Sequence, residues 1–74
     1  MEEFIKNFAN QFDETDPSEI KAVTVYRDLE EWSSLVGLAI LNMISKKYGV
    51  IITPTEMKGT ETVEDVYNLI QSKK

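Results

Sequence analysis

The first stretch of the chain alternates apolar and polar residues with the period of an α-helix. Phe4, Ile5, Phe8 and Phe12 fall on one face, and the residues between them are mainly polar. The pattern predicts an amphipathic first helix over residues 2–12. Such a helix needs a partner surface that covers its aromatic face.

No period is sustained between residues 13 and 32. Asp16 and Pro17 form a helix-start signal, with Asp as N-cap and Pro in the first position. The β-branched residues that follow favour no more than a short turn. A loop of this length is unusual in a compact domain and is often functional. We expect its apolar side chains to fasten it to the helices: Ile20, Val23, Tyr26, Leu29 and Trp32.

The strongest helical signal runs from Ser33, a favoured N-cap residue, to Tyr48, and Gly49 is placed to end the helix. At about 100° per residue, one stripe suffices to face the core: Gly37, Ile40, Leu41, Ile44 and Tyr48. Further apolar residues flank this stripe or oppose it: Leu35, Val36, Leu38, Ala39 and Met43. A surface helix needs only one apolar stripe. The surplus is therefore either covered by the long loop or offered to a partner.

Two more helices are predicted in the last third of the chain. Residues 50–52 form an apolar run that we interpret as a buried connection. Thr53 and Glu56 have the spacing of a capping box, and Gly59 ends that helix after about one turn. Thr62 begins the last helix, whose apolar face comprises Val63, Val66, Leu69 and Ile70. The predicted fold class is therefore all-α, with three main helices and one short third helix.

Length and composition narrow the possible functions. A chain of 74 residues suits one domain, spanning 1–74, with a small core. It contains no His and no Cys, so it lacks the commonest general base and the thiolate nucleophile. A His/Cys zinc site is excluded for the same reason. This composition disfavours an autonomous enzyme.

The charge of the chain indicates the chemistry of its partners. A net charge of −5 disfavours nucleic acids and anionic membrane surfaces, and favours basic protein surfaces. The longest apolar stretch, residues 35–44, is interrupted by Gly37 and Asn42 and is too short to span a bilayer. The first residues lack the basic start and apolar run of a signal peptide. We expect a cytoplasmic monomer without membrane insertion.

Ser34 is the one residue whose position indicates a specific chemistry. It lies at the start of the over-apolar helix, where unpaired N–H groups and the helix dipole favour a phosphate. On its own, a serine at such a position is more typical of helix capping. The surrounding sequence changes this balance.

The order of segments along the chain resembles the acyl carrier protein family. Trp32-Ser33-Ser34-Leu35 follows an acidic segment, and the spacing of the later helices also corresponds. The chain is similar to the subgroup whose signature is Asp-Leu-x-x-Trp-Asp-Ser-Leu, matched here by residues 28–35. The resemblance covers almost the whole chain. The family folds as an up-and-down four-helix bundle with a short third helix.

The resemblance implies a function for Ser34. A separate phosphopantetheinyl transferase, using coenzyme A and magnesium, attaches 4′-phosphopantetheine to the serine before Leu, which is Ser34. The terminal thiol of this arm then carries acyl groups as thioesters. Acyl-transferring or condensing enzymes dock around the second helix, which corresponds to Leu35, Val36, Leu38, Ala39 and Asn42. The acyl chain tucks between the second and third helices, near Ile40, Leu41, Ile44 and Met57.

Two departures from the family pattern shape this interpretation. Ser33 stands where the signature has Asp, and no acidic residue occurs between Ser33 and Lys47, where typical members have several. The second departure favours a dedicated set of partners in specialised biosynthesis over generic fatty-acid enzymes. The leading function is an acyl carrier of fatty-acid, polyketide-like or other specialised biosynthesis. Peptidyl and aminoacyl carriers share this chemistry, and the first departure leaves open an unmodified helical interaction module.

Three further features receive structural interpretations. Trp32, beside the helix start, is expected to act as a packing lid. Tyr48 and Tyr67 are expected in the core with their hydroxyls at the surface. The run Asp28-Leu29-Glu30-Glu31 is interpreted as solvated acid that can guide a basic transferase at long range, and not as a metal site.

Overall fold

A computed structural model describes all 74 residues and shows four α-helices without a β-sheet. The helices are α1 (Glu2–Ala9), α2 (Ser34–Tyr48), α3 (Pro54–Lys58) and α4 (Val63–Lys73). Two 3₁₀ helices, Pro17–Glu19 and Tyr26–Asp28, lie in the long connection between α1 and α2. The all-α prediction is confirmed, as are three longer helices and a short third one. None of the helices combines the length and the apolar character needed to cross a bilayer.

The first helix is shorter than predicted. It ends at Ala9, and the N–H groups of Gln11 and Phe12 bond to carbonyls three residues back, at 3.1 and 3.0 Å. These bonds form a tighter turn, which continues the direction of the helix far enough to bury Phe12. The apolar spacing therefore placed the buried face correctly and overestimated the regular helix.

The core forms where α1 packs against α2 and α4. Phe4 lies within aromatic contact of Phe8, Tyr48 and Tyr67, with ring centroids 5.5–5.8 Å apart. Both tyrosines pack against the core, as predicted, although they are only partly buried, and the Tyr48 hydroxyl accepts a hydrogen bond from Asn7. The other buried apolar residues come from every part of the chain: Ala9, Phe12, Ile20, Tyr26, Ile40, Met43, Ile44, Val50, Ile52, Met57, Val63, Val66 and Ile70.

The long connection is fastened to α4 by backbone hydrogen bonds. The N–H of Val63 donates to the carbonyl of Thr24, and the N–H of Glu64 donates to Ala22, at 3.1 and 2.9 Å. Asp16 caps the first 3₁₀ helix by accepting from Ser18 N–H, as its sequence signal predicts. Of the five apolar residues expected to hold the loop, only Val23 is wrong, because it is 76% exposed.

Caps fix the starts of α3 and α4. Thr53 with Glu56, and Thr62 with Asp65, each form a complete capping box, which confirms both predicted helix starts. Lys73 on α4 also pairs with Glu56 on α3 at 2.6 Å. Hydrogen bonding to Lys73, followed by the Thr53 N–H, holds the pKa of Glu56 below its usual value. In the connection before α3, Val50 and Ile52 are buried, whereas Ile51 is 76% exposed and contradicts the prediction.

Removing either capping threonine should lower the stability measurably. We expect Thr53→Ala and Thr62→Ala each to cost about 0.5–2 kcal/mol, because each leaves a helix-start N–H without its side-chain acceptor. In a domain of this size, about 1 kcal/mol shifts the melting temperature by roughly 4–8 °C. Circular dichroism melts would measure the shift. Thr55→Ala is the matched control, since Thr55 is exposed inside α3 and caps nothing. Unchanged melting of both cap variants would contradict the assignment.

Candidate functional site

Ser34 is the first residue of the longest helix, and its hydroxyl is free. The preceding Ser33 is the N-cap, with extended backbone, and its Oγ accepts from the N–H of Val36 at 3.3 Å. Ser34 is exposed and its side chain takes part in no hydrogen bond within the protein. The two adjacent serines therefore have different roles: one ends the loop, and the other presents an unbonded hydroxyl to solvent.

The backbone around Ser34 suits an anion. The N–H of Val36 is bonded to the cap, and that of Gly37 to the Ser33 carbonyl, at 3.0 Å. The N–H groups of Ser34 and Leu35 remain free at this helix end. The first turn of α2 carries no acidic side chain, while Lys46 and Lys47 occupy the last turn. Negative charge at Ser34 is thus favoured by the helix dipole and opposed by no carboxylate of the same turn.

The start of α2 is held in place by an aromatic contact. The Trp32 ring meets the Tyr26 ring edge-on, with centroids 4.9 Å apart. Tyr26 is fully buried, and its hydroxyl lies 2.6 Å from Thr60 Oγ1 and donates to the Met57 carbonyl at 3.1 Å. Trp32 is partly buried against the core, which confirms its predicted role as a packing lid. The position of Ser34 is therefore tied through two aromatic rings to the end of α3.

A groove of about 420 Å³ opens beside Ser34, between α2 and α3. Most of its lining surface is apolar, and its cationic side chains come from Arg27 and Lys58. The lining residues come from the end of the long loop, from α2 and from α3: Arg27, Trp32, Ser34, Leu35, Gly37, Leu38, Leu41, Pro54, Met57 and Lys58. A volume of this size lies in the range of small-molecule sites.

The four residues expected to form an acyl pocket divide into two pairs. Leu41 and Met57 line the groove together with Ser34. Ile40 and Ile44 are fully buried in the core beneath it and do not line it. The sequence pattern did not identify the other walls, Trp32, Gly37 and Pro54. The one available signal was Gly37, since a glycine inside a helix often marks a close packing contact.

The expected docking surface is open to solvent. Leu35 is 79% exposed and Leu38 is 56% exposed, so the long loop does not cover them. Asn42 is exposed as well, while Val36 and Ala39 are half-buried. The sequence left two possibilities for the surplus apolar surface of α2: cover by the long loop, or exposure to solvent. The structure shows exposure at Leu35 and Leu38. The core-facing stripe is also rotated from the predicted one, because Met43 is buried and Leu41 only partly so.

Glu31 is not part of a solvated acidic run, which corrects the prediction for that residue. Its carboxylate accepts hydrogen bonds from the N–H groups of Asp13, Glu14 and Thr15 at 2.5–2.9 Å, and from the Thr15 hydroxyl. Partial burial opposes ionisation, but these hydrogen bonds hold the pKa of Glu31 below its usual value. Glu31 therefore fastens the start of the long connection, residues 13–15, to its end just before α2. Asp28 and Glu30 remain exposed.

The acidic side chains upstream of Ser34 do not gather as ligands. No group of three or more His, Cys, Asp or Glu residues is arranged to hold a metal ion. An open hollow beside them contains acid from both ends of the long connection, including Glu14, Glu19, Asp28 and Glu30. This acidic face lies on the loop side of the Ser34 region and contrasts with the apolar surface of α2.

No known protein-family model matches the chain, and no curated protein matches it significantly. The functional argument therefore rests on the residues and geometry of the site.

Proposed function

We propose that this protein is an acyl carrier protein whose Ser34 carries a 4′-phosphopantetheine arm. One observation carries the proposal: the Ser34 hydroxyl is exposed and unbonded at the start of α2, on the rim of an apolar groove. A residue that merely capped the helix would have its oxygen committed to the backbone, as Ser33 does. The four helices, with a short third one, are compatible with the carrier fold that the sequence resembles.

The residues at this site fit the phosphopantetheine group. Ser34 would hold it covalently, and the free N–H groups at the start of α2 would face its phosphate. When bound, the group supplies the thiol that holds an acyl chain as a thioester, a function that a chain without cysteine cannot perform itself. The groove beside Ser34 offers apolar surface to that chain.

Attachment needs only the Ser34 hydroxyl from this chain. A bond forms between Ser34 Oγ and the phosphorus of coenzyme A that bears pantetheine. The bond from this phosphorus to the nucleotide half of coenzyme A breaks, and the nucleotide leaves with the bonding electrons. The hydroxyl proton passes to a base of the transferase or to solvent. No His or Cys of this chain is required, so we propose a carrier without catalytic activity of its own.

The charges of the chain indicate how partners approach. Asp28 and Glu30 are exposed beside the start of α2 and can attract a basic phosphopantetheinyl transferase. Acyl-transferring or condensing enzymes would then contact the exposed apolar residues of α2. We propose a cytoplasmic monomer in fatty-acid, polyketide-like or other specialised biosynthesis, with no nucleic-acid partner. A peptidyl or aminoacyl carrier would use the same site.

Intact-mass spectrometry tests the proposal directly. We expect the purified protein, incubated with coenzyme A, magnesium and a broad-specificity phosphopantetheinyl transferase, to gain the mass of one phosphopantetheine. A known carrier protein in a parallel reaction establishes that the enzyme is active. An unmodified chain beside a modified control would instead favour an unmodified interaction module, for which Leu35 and Leu38 provide an exposed surface.

Docking should depend more on the apolar side chain of Leu38 than on the exposed acidic side chain of Glu30. We expect Leu38→Ala to weaken binding to a cognate enzyme by roughly 1–2 kcal/mol, mainly through faster dissociation, because apolar anchors determine off-rates. Glu30→Ala should mainly slow association and reduce its salt dependence. Surface plasmon resonance separates the two rates. Ile51→Ala is the matched control, since Ile51 is also an exposed apolar residue and does not line the groove. Normal binding by a folded Leu38→Ala protein would exclude this docking role.

A further inference from the structure

Trp32 stands between the buried core and the groove. Its ring is supported on one side by Tyr26, edge-on at 62°. On the α2 side it lies very close to Gly37: a Cβ added there would come within 3.1 Å of Trp32 Cη2 and 3.3 Å of Cζ2. Both distances are shorter than ordinary van der Waals contact. The indole is therefore seated directly on the backbone of α2, and Trp32 and Gly37 both line the groove.

This wall of the groove cannot retreat inward. Tyr26 is fully buried, and its hydroxyl is held by Thr60 and by the Met57 carbonyl. Trp32 is thus supported on one side by the fixed ring of Tyr26 and on the other by Gly37, which has no side chain. Glycine is unfavourable inside a helix, and the close contact with the indole explains its presence at this position. Leu41, Pro54 and Met57 also line the groove.

We propose that Trp32, seated on Gly37, is the residue that selects the acyl group held in the groove. The inference rests on the proposed carrier function, and the occupant is the apolar acyl chain attached through Ser34. The groove has a volume of about 420 Å³, a mostly apolar lining and no carboxylate, so a medium-length aliphatic chain would bury more apolar surface there than a short acyl group would. Tethering through Ser34 gives an effective concentration on the order of millimolar, so modest apolar contact suffices for occupancy.

The test compares an octanoyl with an acetyl group loaded from the corresponding acyl-coenzyme A by the transferase. Trp32 is the single tryptophan of the chain, so its fluorescence reports on this wall. We expect the octanoyl form to change Trp32 emission and the acetyl form to leave it unchanged. We also expect hydroxylamine to cleave the octanoyl thioester about tenfold more slowly than the acetyl one, as burial of two methylene groups would produce. Each rate is normalised to the same thioester of free coenzyme A.

Two variants identify the wall. Trp32→Ala should remove the protection of the octanoyl thioester. Gly37→Ala should reduce it by displacing the indole, and the variant keeps the fluorophore and a good helix former. Ile51→Ala, outside the groove, should retain full protection. The Gly37→Ala result decides the question if Trp32→Ala does not fold.

The outcomes separate this inference from the carrier proposal. Failure to load any arm would remove both. A loaded octanoyl form with unchanged emission and unprotected thioester would overturn the role of Trp32 and leave the carrier function intact. If the octanoyl thioester stayed protected in Gly37→Ala and in any folded Trp32→Ala protein, the acyl chain would have to bind outside this wall. That result would also overturn the inference.

Discussion

Ser34→Ala is expected to abolish the addition of phosphopantetheine, whereas Ser33→Ala is expected to remain modifiable. The two hydroxyls differ in what they do in the fold. Ser33 Oγ accepts from Val36 N–H as the N-cap, while Ser34 is exposed and unbonded. Loss of the cap costs about 1 kcal/mol, which lowers stability and leaves the attacking oxygen in place. Intact-mass spectrometry after incubation with transferase and coenzyme A gives the answer for each variant.

Ser33→Asp is the informative companion. Aspartate is as good an N-cap as serine, and it restores the residue of the signature that the chain resembles. We expect this variant to be modified at least as fast as the natural sequence. If Ser34→Ala still gains the arm and Ser33→Ala does not, the attachment site is shifted by one residue and the assignment is wrong.

Local signals were sufficient to predict where the helices begin. Capping boxes at Thr53 and Thr62 involve residues three apart, so the physical interaction is contained in a short stretch of sequence. The same holds for Ser33 and for Gly49, whose φ of 66° ends α2 in the left-handed conformation. Gly59 also follows its helix as predicted, although with φ −78° it needs no left-handed conformation.

The orientation of α2 was harder to predict, because this helix is apolar on most of its faces. The apolar period predicts that the stripe through Gly37 and Leu41 faces the core. In the structure, contact with α1 and the rest of the core buries Met43 instead. With several apolar faces of similar hydrophobicity, the face that packs inward depends on tertiary contacts and not on the pattern. The rotation leaves the Gly37 side beside Trp32, at the groove.

The long-range polar contacts were beyond sequence reasoning. Glu31 accepts hydrogen bonds from N–H groups 16–18 residues earlier in the chain. Neither the sequence around Glu31 nor that of residues 13–15 contains a motif that predicts this contact. Its neighbours Asp28 and Glu30 have the same charge and remain exposed. Glu31 is therefore the structural residue within this acidic run. It differs from its neighbours only because the loop brings residues 13–15 next to it.

The largest effect on stability is expected at Tyr26. Its ring is fully buried and contacts Phe8, at 5.6 Å between centroids, as well as Trp32. Truncating a buried aromatic residue to Ala costs about 3–5 kcal/mol. A core of this size rarely supplies more than about 3–5 kcal/mol in total. Tyr26→Ala should therefore be largely unfolded at room temperature, as measured by circular dichroism and urea denaturation.

Tyr26→Phe separates the ring from the hydroxyl. The ring contacts remain, but Thr60 Oγ1 and the Met57 carbonyl each lose one of their hydrogen-bond partners, at a cost of about 1–3 kcal/mol. Thr60 keeps its own hydrogen bond to the Met57 carbonyl, which favours the lower part of this range. Since Tyr26 also supports Trp32, the Phe variant should keep Trp32 emission unchanged, whereas any folded Ala variant should shift it. A Tyr26→Ala protein that melted like the natural sequence would show that the long loop does not depend on this ring, and the proposed link between the core and the start of α2 would fail.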